Sequence, residues 1–124
     1  MKKIMTEKPR YQDLEIWKRS FQLSLFVYKI TQDFPGEEKF GLVSQMRRCS
    51  VSIPSNIAEG SMRGGKKEFL NFLHIAIASA AELQTQLLLS SELNFIPKNQ
   101  HQTIDQEIVQ IMKMINAFIK NLKS

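Results

Sequence analysis

Apolar residues recur at spacings of three and four along most of this chain, a pattern that predicts amphipathic α-helices. The first helix is expected to be capped by Asp13 and to end near Asp33, ahead of a Phe-Pro-Gly turn. Two apolar lines run along it and together make a face wider than a contact between two helices needs. The main line consists of Leu14, Trp17, Phe21, Leu25 and Tyr28, and the second of Ile16, Leu23 and Ile30. We predict that Trp17, Phe21 and Tyr28 belong to the core and do not form a platform that stacks bases.

A second helix is predicted to start within residues 37–41 and to end at Gly60. Its apolar line consists of Leu42, Met46, Cys49, Ile53 and Ile57. Pro54 interrupts it, because a proline inside a helix removes one backbone hydrogen bond and crowds the carbonyl four residues earlier, here that of Ser50. Two interpretations fit this pattern. We adopt one helix kinked at Pro54, and the alternative is a break at Ile53 followed by a short new turn.

The third predicted helix is long and apolar on more than one side. Gly65 can cap it, and it runs over about residues 66–93. Within residues 69–91 its only formal charge is Glu82, so we expect it to be buried on several sides. A fourth helix follows a turn around Pro97 and has a strict four-three alternation of apolar residues. These are Ile104, Ile108, Ile111, Ile115, Phe118 and Leu122.

Composition agrees with a single folded domain. With 124 residues, 43% of them hydrophobic and 23% charged, the chain is too apolar for disorder and long enough for one core. Short loops predict an all-α, antiparallel up-down-up-down four-helix bundle over residues 12–124, after a flexible tail of residues 1–11. The sequence shows no secretory signal, and its most apolar run is too short to cross a membrane. We therefore expect a cytoplasmic protein with no membrane contact.

Most of the net charge lies in one stretch of the chain. The formal net charge is +5, and residues 47–67 account for +4 of it, with Glu59 as their only acid. The basic residues of this stretch are Arg47, Arg48, Arg63, Lys66 and Lys67. The two lysines open the third helix, where free backbone N–H groups also bind anions. A phosphate-binding surface is therefore one interpretation, and a solvated basic loop is the other.

None of the candidate chemical motifs predicts a reaction. Residues 60–67 nearly match a nucleotide-binding phosphate loop, but Lys67 stands where a hydroxyl must bind Mg²⁺ and no strand precedes the loop. Glu59 and Glu82 are candidates for buried structural ion pairs with Arg47 or Arg48 rather than for acid–base catalysis. The Glu-x-x-His repeat of di-iron bundles does not occur. We predict no catalytic residue, no metal and no cofactor.

Two single residues are also interpreted as structural. Cys49 is the only cysteine, which excludes an internal disulfide, and its place on the apolar line predicts a small buried hydrophobe. His74 lies within the apolar third helix, where a histidine belongs more often to a core or an interface than to a ligand site.

Several segments resemble one bacterial family. They are Asp13-Leu-Glu-Ile-Trp-Lys, Glu38-Lys-Phe-Gly-Leu, Gln45-Met-Arg-Arg, Lys67-Glu-Phe, Ala80-Ala-Glu-Leu and, most specific of all, Val51-Ser-Ile-Pro-Ser-Asn-Ile-Ala-Glu-Gly. On these residues the chain is identified as a member of the small four-helix-bundle proteins encoded in intervening sequences of 23S ribosomal RNA genes. The resemblance covers residues 13–95. The fourth helix has no motif of the family and resembles it only in the spacing of its apolar residues.

The resemblance carries expectations about assembly and function. It implies a bundle that assembles into rings of five. The family is also similar to the accessory variability protein of diversity-generating retroelements, a basic pentameric bundle that binds nucleic acid and works with a reverse transcriptase. By this similarity, the five basic residues within residues 47–67 become the candidate nucleic-acid contacts. We therefore expect a non-enzymatic homo-oligomer that binds structured RNA or an RNA–DNA hybrid, and the alternative is an oligomeric scaffold for a protein partner.

Overall fold

The computed structural model describes residues 9–124, and this part of the chain contains four α-helices and no strand. The helices are α1 (Glu15–Thr31), α2 (Leu42–Met62), α3 (Lys66–Glu92) and α4 (Lys98–Lys123), with short 3₁₀ helices at Arg10–Asp13 and Gly36–Glu38. Each helix packs against the next, and α1 also packs against α4. The predicted all-α four-helix bundle is therefore confirmed. A flexible tail was predicted over residues 1–11, and residues 1–8 of it lie outside the described residues.

The core of the bundle is made by one apolar line from each helix. In α3 the buried apolar side chains are Leu73, Ala76, Ala80, Leu83 and Leu87. In α4 the core follows the predicted line over Ile104, Ile108, Ile111 and Ile115. At the end of α4 it is Ile119 that is buried, whereas the predicted Phe118 and Leu122 are only partly buried. Each fully buried leucine or isoleucine contributes about 1.5–3 kcal/mol relative to an exposed one. The boundaries of α3 also match the prediction, because Gly65 is its extended N-cap residue.

The face that α1 buries differs from the predicted one. Phe21, Leu25 and Tyr28 are 40%, 54% and 44% exposed, so the prediction that the whole aromatic line belongs to the core is wrong. Leu14 and Trp17 of the main line are partly buried and pack against the core, so the prediction fails for Phe21 and Tyr28 but not for Trp17. The second line is fully within the core, together with the hydroxyl residues that lie beside it. The buried residues of α1 are Ile16, Ser20, Leu23, Ser24, Val27, Ile30 and Thr31. The predicted cap is also wrong, since Leu14 is the N-cap residue and makes no side-chain cap bond.

The α2 helix runs through Pro54 without a break. The alternative of a new turn from Pro54 is therefore wrong, and the kink stays a prediction. The carbonyl of Ser50, which loses its helical N–H donor to the proline, accepts a hydrogen bond of 2.8 Å from the Ser24 hydroxyl of α1. A buried backbone oxygen is thus satisfied by a neighbouring helix.

Gly60 does not end α2 as predicted, because the helix continues for two more residues. Instead this glycine permits a close approach between helices. A Cβ atom added to it would lie 2.6 Å from the Cβ atom of Phe72 and 3.0 Å from Cδ1 of Phe69, both in α3. The left-handed conformation needed for the turn belongs to Gly64, whose φ is 86°.

The α3 helix is long and apolar enough, by length and composition alone, to cross a membrane. An 18-residue window has a mean hydropathy of 1.3, and 39% of that window is buried inside the bundle. The core helix of a soluble bundle meets the same criterion, and α3 packs against both α2 and α4. The prediction that the most apolar run is too short to cross a membrane is therefore wrong by length and composition, and the absence of a membrane contact stays a prediction.

Candidate functional site

The antiparallel topology gathers basic residues at one end of the bundle. This basic end comprises residues 9–18, 59–68 and 118–124, and the rings of Phe69 and Phe118 meet there with centroids 5.5 Å apart. Its basic residues are Arg10, Lys18, Arg63, Lys66, Lys67, Lys120 and Lys123. Against four acids they leave a formal side-chain charge of +3, out of +5 for the chain. Sequence reasoning missed Arg10, Lys18, Lys120 and Lys123, which the alternating helix directions could have placed here.

Backbone N–H groups at the start of α3 are available within the basic end. Gly64 and the extended Gly65 turn the chain sharply into the helix. The first intrahelical bond runs from the N–H of Phe69 to the carbonyl of Gly65, at 3.0 Å. The N–H groups of residues 66–68 precede it, and no hydrogen bond between residues 9–124 uses them. Such groups at the positive end of a helix dipole favour anions.

Three of the five predicted cations, Arg63, Lys66 and Lys67, lie at the basic end, and only one of them forms ion pairs within residues 9–124. The Arg63 guanidinium lies 2.8 Å from a carboxylate oxygen of Glu59 and 3.5 Å from one of Glu68, with the Phe72 ring 5.1 Å away. The hydrogen bond to Glu59 raises the pKa of Arg63 above its usual value. Lys66 and Lys67 are exposed, and neither joins an ion pair between described residues. Among these three predicted cations, the two lysines therefore carry the uncompensated charge.

The other two predicted cations lie far from the basic end. Because α2 is continuous, Arg48 and Arg63 are about 22 Å apart along its axis, and no shared surface forms. Arg47 donates to the Thr31 hydroxyl at 2.9 Å and to the Tyr28 carbonyl at 3.2 Å, and its guanidinium lies 4.5 Å from the Tyr28 ring centre. It thus satisfies one of the last carbonyls of α1, while Arg48 is exposed.

The predicted buried ion pairs of Glu59 and Glu82 do not form. Glu59 pairs with Arg63, one turn away on the same helix, and both side chains are about half exposed. An exposed pair of this kind contributes little, because water solvates both charges. Glu82 is exposed and joins no ion pair among the described residues. His74 is also exposed, so it is not a core residue, and its place in an interface stays a prediction.

The prediction for Cys49 is confirmed, because this residue is buried between α2 and α3. Its sulfur accepts a 3.5 Å hydrogen bond from the Gln86 amide. Burial raises the pKa of the thiol above its usual value. Within residues 9–124, no group of three His, Cys, Asp or Glu side chains could hold a metal ion.

Two surface grooves were not predicted. The first, here called the α1–α2 slot, has a volume of about 270 Å³ and an apolar lining. It is lined by Tyr11, Trp17, Phe21, Ser24, Val51, Pro54, Ser55 and Ala58. Trp17 stacks on Phe21 with centroids 4.8 Å apart and an interplanar angle of 19°. The sequence contained one indication of this groove: the apolar face of the first helix is wider than a core contact needs, so part of it remains at the surface.

The second groove separates α1 from α4 and has a volume of about 590 Å³. Arg19 and Glu107 span it through two hydrogen bonds of 2.6 and 3.0 Å. The hydrogen bond to Glu107 raises the pKa of Arg19. Amide side chains dominate the remaining polar lining, contributed by Gln22, Gln106 and Gln110.

Comparison with known proteins identifies a family and a solved structure of similar fold. A family model described as 23S rRNA-intervening sequence protein matches residues 12–117. A crystal structure at 1.70 Å of a protein of unknown function from Bacteroides thetaiotaomicron VPI-5482, described as belonging to the S23 ribosomal protein family, is 25% identical to this chain. It aligns with a TM-score of 0.79 over 85% of this chain and 95% of that one. No curated protein matches.

Proposed function

Because this chain belongs to the family of 23S rRNA-intervening sequence proteins, we propose that it is a non-enzymatic, homo-oligomeric, cytoplasmic protein that binds nucleic acid through its basic end. The resemblance to the retroelement accessory protein favours a pentamer and a ligand of structured RNA or RNA–DNA hybrid. Of the five basic residues first considered, Arg63, Lys66 and Lys67 are the contacts of this proposal. Arg47 and Arg48 are left out, because they lie toward the opposite end of α2.

One observation carries the proposal: two exposed lysines stand beside free backbone N–H groups at the start of α3. Phosphate oxygens accept hydrogen bonds from such groups, and the ammonium groups neutralise the phosphate charge. Arg63 is held nearby by Glu59 and Glu68, which fixes its guanidinium without removing it from solvent. The arrangement contacts the nucleic-acid backbone and does not read base edges.

Assembly would multiply this charge. In a cyclic oligomer, symmetry places the same surface of each subunit at the same height along the axis. The basic ends would then form a ring, in which each subunit contributes a formal +3. A ring of this kind attracts a polyanion more strongly than one subunit does, because several phosphates are contacted together.

Replacing Arg63, Lys66 and Lys67 together with glutamine is expected to weaken RNA binding about tenfold or more. Each lost phosphate contact also removes counterion release, so the slope of log K against log salt should fall in magnitude by about 2–3. Titration of a fluorescent structured RNA at four salt concentrations measures both quantities. Far-UV circular dichroism and light scattering check that the fold and assembly are unchanged.

A matched triple variant separates the effect of losing the site from the effect of lowering the net charge. Lys29, Lys98 and Lys113 are exposed and lie outside the basic end, so changing all three to glutamine removes the same charge elsewhere. This control should bind RNA almost as the unmodified protein does. Equal weakening by the two triple variants, or wild-type binding that does not change with salt, would contradict the proposal.

The second candidate is an oligomeric scaffold that binds a protein partner. The observation in its favour is the exposed apolar surface that α1 and α2 share, which includes Phe21, Leu25, Tyr28 and Val51. Affinity capture before and after nuclease treatment discriminates the two functions. A single protein that remains bound after nuclease would favour the scaffold.

A further inference from the structure

Phe40 is the most solvent-exposed large apolar side chain among residues 9–124. It lies in the turn between the 3₁₀ helix Gly36–Glu38 and α2, and 89% of it is exposed. The Lys39 ammonium lies 5.5 Å from the ring centre. An aromatic ring held on a tight turn with few rotatable bonds is the kind of group that anchors protein interfaces, because little entropy is lost when it becomes buried.

The α1–α2 slot matches an aromatic side chain in size and in the chemistry of its lining. Its volume of about 270 Å³ is below the range of about 300–1,000 Å³ typical of small-molecule pockets. It therefore suits one large side chain. Its walls are mostly apolar and aromatic, with the Trp17 and Phe21 rings on one side and Val51 and Pro54 on the other. An inserted aromatic ring would contact these rings edge-on or in offset stacking.

A chain cannot fill its own slot with its own Phe40. The turn that carries this residue immediately precedes α2, whereas Pro54 lies twelve residues into that helix, about 18 Å along its axis. The exposure of the ring shows that it points to solvent. A Phe40 ring that fills this slot would therefore come from a second copy.

Charge favours the same pairing. Glu37 precedes Phe40 by three residues and is exposed. Arg48 is also exposed, lies one helical turn before Val51 at the slot, and joins no ion pair among the described residues. A ring inserted beside Val51 would bring an acidic turn to a basic helix surface. Complementary charges at the rim of an interface set its register and speed association.

We propose that Phe40 of one copy inserts into the α1–α2 slot of the next copy, with Glu37 facing Arg48. This inference rests on the homo-oligomeric part of the proposed function and names its contact. The two surfaces are different, so the contact is head-to-tail, and it closes into a ring when the rotation between subunits permits. Arg48 then serves assembly, and the slot does not include Arg63, Lys66 or Lys67, the proposed nucleic-acid contacts.

Sedimentation over a concentration series tests the anchor. Phe40→Ala removes the inserted ring, and Ser55→Trp fills the slot; each should weaken association about tenfold or more. Both residues are exposed, so neither change disturbs the core. Leu88→Ala is the control, since it removes a side chain that is 52% exposed on α3 and does not line the slot. Unchanged assembly of Phe40→Ala, or equal weakening by Leu88→Ala, would overturn the proposal.

Mixing the two variants tests the direction of the contact. Phe40→Ala copies keep a slot but lose the anchor, and Ser55→Trp copies keep the anchor but lose the slot. At a concentration at which each variant alone is monomeric, an equimolar mixture should form heterodimers. Absence of heterodimers would rule out a head-to-tail contact of this kind.

The charge pair is tested by exchange. Glu37→Lys and Arg48→Glu should each weaken association, and the double variant should restore it, because opposite charges then face each other again. Failure of the double variant to recover would refute the assigned register.

Trp17 reports insertion directly, because it is the only tryptophan and lines the slot. Its emission should shift to the red on dilution of the wild type and stay constant for Phe40→Ala. If the wild type assembles and Phe40→Ala assembles equally well, this inference alone fails. If the wild type is monomeric at every concentration, the oligomeric part of the proposed function fails with it, while RNA binding is measured separately.

Discussion

Replacing Gly60 with valine is expected to lower the free energy of unfolding by about 2–3 kcal/mol. The added Cβ would lie 2.6 Å from the Cβ of Phe72. That atom is bonded directly to the α3 backbone, so a change of rotamer cannot move it away. Relief therefore requires the two helices to separate, which weakens packing along the α2–α3 seam. Denaturant unfolding at one fixed protein concentration measures the effect as a lower midpoint with an unchanged m-value.

Alanine at Gly60 should have a smaller effect of the same sign. Alanine is favoured over glycine inside a helix by about 0.5–1 kcal/mol, which partly offsets the clash. Gly36 supplies the matched control, because a Cβ there would meet nothing within 4 Å and its φ is not in the left-handed region. Gly36→Val should be nearly neutral. A Gly60→Val protein as stable as the wild type would refute the close approach between α2 and α3.

Replacing Ser24 with alanine is expected to cost about 1–3 kcal/mol, because the buried Ser50 carbonyl then loses its donor. Ser20→Ala is the control. Its hydroxyl is also buried, but it donates at 2.7 Å to the Ile16 carbonyl of its own helix. That carbonyl keeps its backbone donor, so the change should cost less than about 0.5 kcal/mol.

A double-mutant cycle with Pro54 identifies the cause. Alanine at position 54 has a backbone N–H that can donate to the carbonyl four residues earlier. Ser24→Ala should therefore cost at least about 0.5 kcal/mol less in the Pro54→Ala background than alone. Additive effects would show that the two residues do not share the Ser50 carbonyl. Denaturant midpoints of the four proteins supply the cycle.

The sequence predicted the bounds of α3 and most of the buried line of α4 well, because Gly65 marks the start of α3 and one apolar line dominates α4. The α1 helix had two lines of equal period, and hydrophobicity alone favoured the aromatic one. The deciding residues were Ser20, Ser24 and Thr31, which count as polar in a pattern but donate to carbonyls and so can be buried. Their hydroxyls made the core face look like a polar one.

The candidate site was predictable only where it is local in sequence. Arg63, Lys66 and Lys67 are close together whatever the topology, and Gly65 marked the helix start. The distance from Arg48 to this group depended on whether α2 bends or breaks at Pro54, which propensity does not decide. Arg10, Lys120 and Lys123 join the same end only through the alternating helix directions.

The groove between α1 and α4 also determines where the bundle opens first. Its volume of about 590 Å³ holds roughly 20 water molecules at about 30 Å³ each, so solvent reaches the adjoining sides of both helices. Arg19 and Glu107 span it, but side chains more than a third exposed contribute less than about 1 kcal/mol. Amide hydrogens of α1 should therefore exchange with deuterium through local opening, ahead of those along the α2–α3 seam. Uniform exchange across all four helices would instead indicate a single cooperative unit.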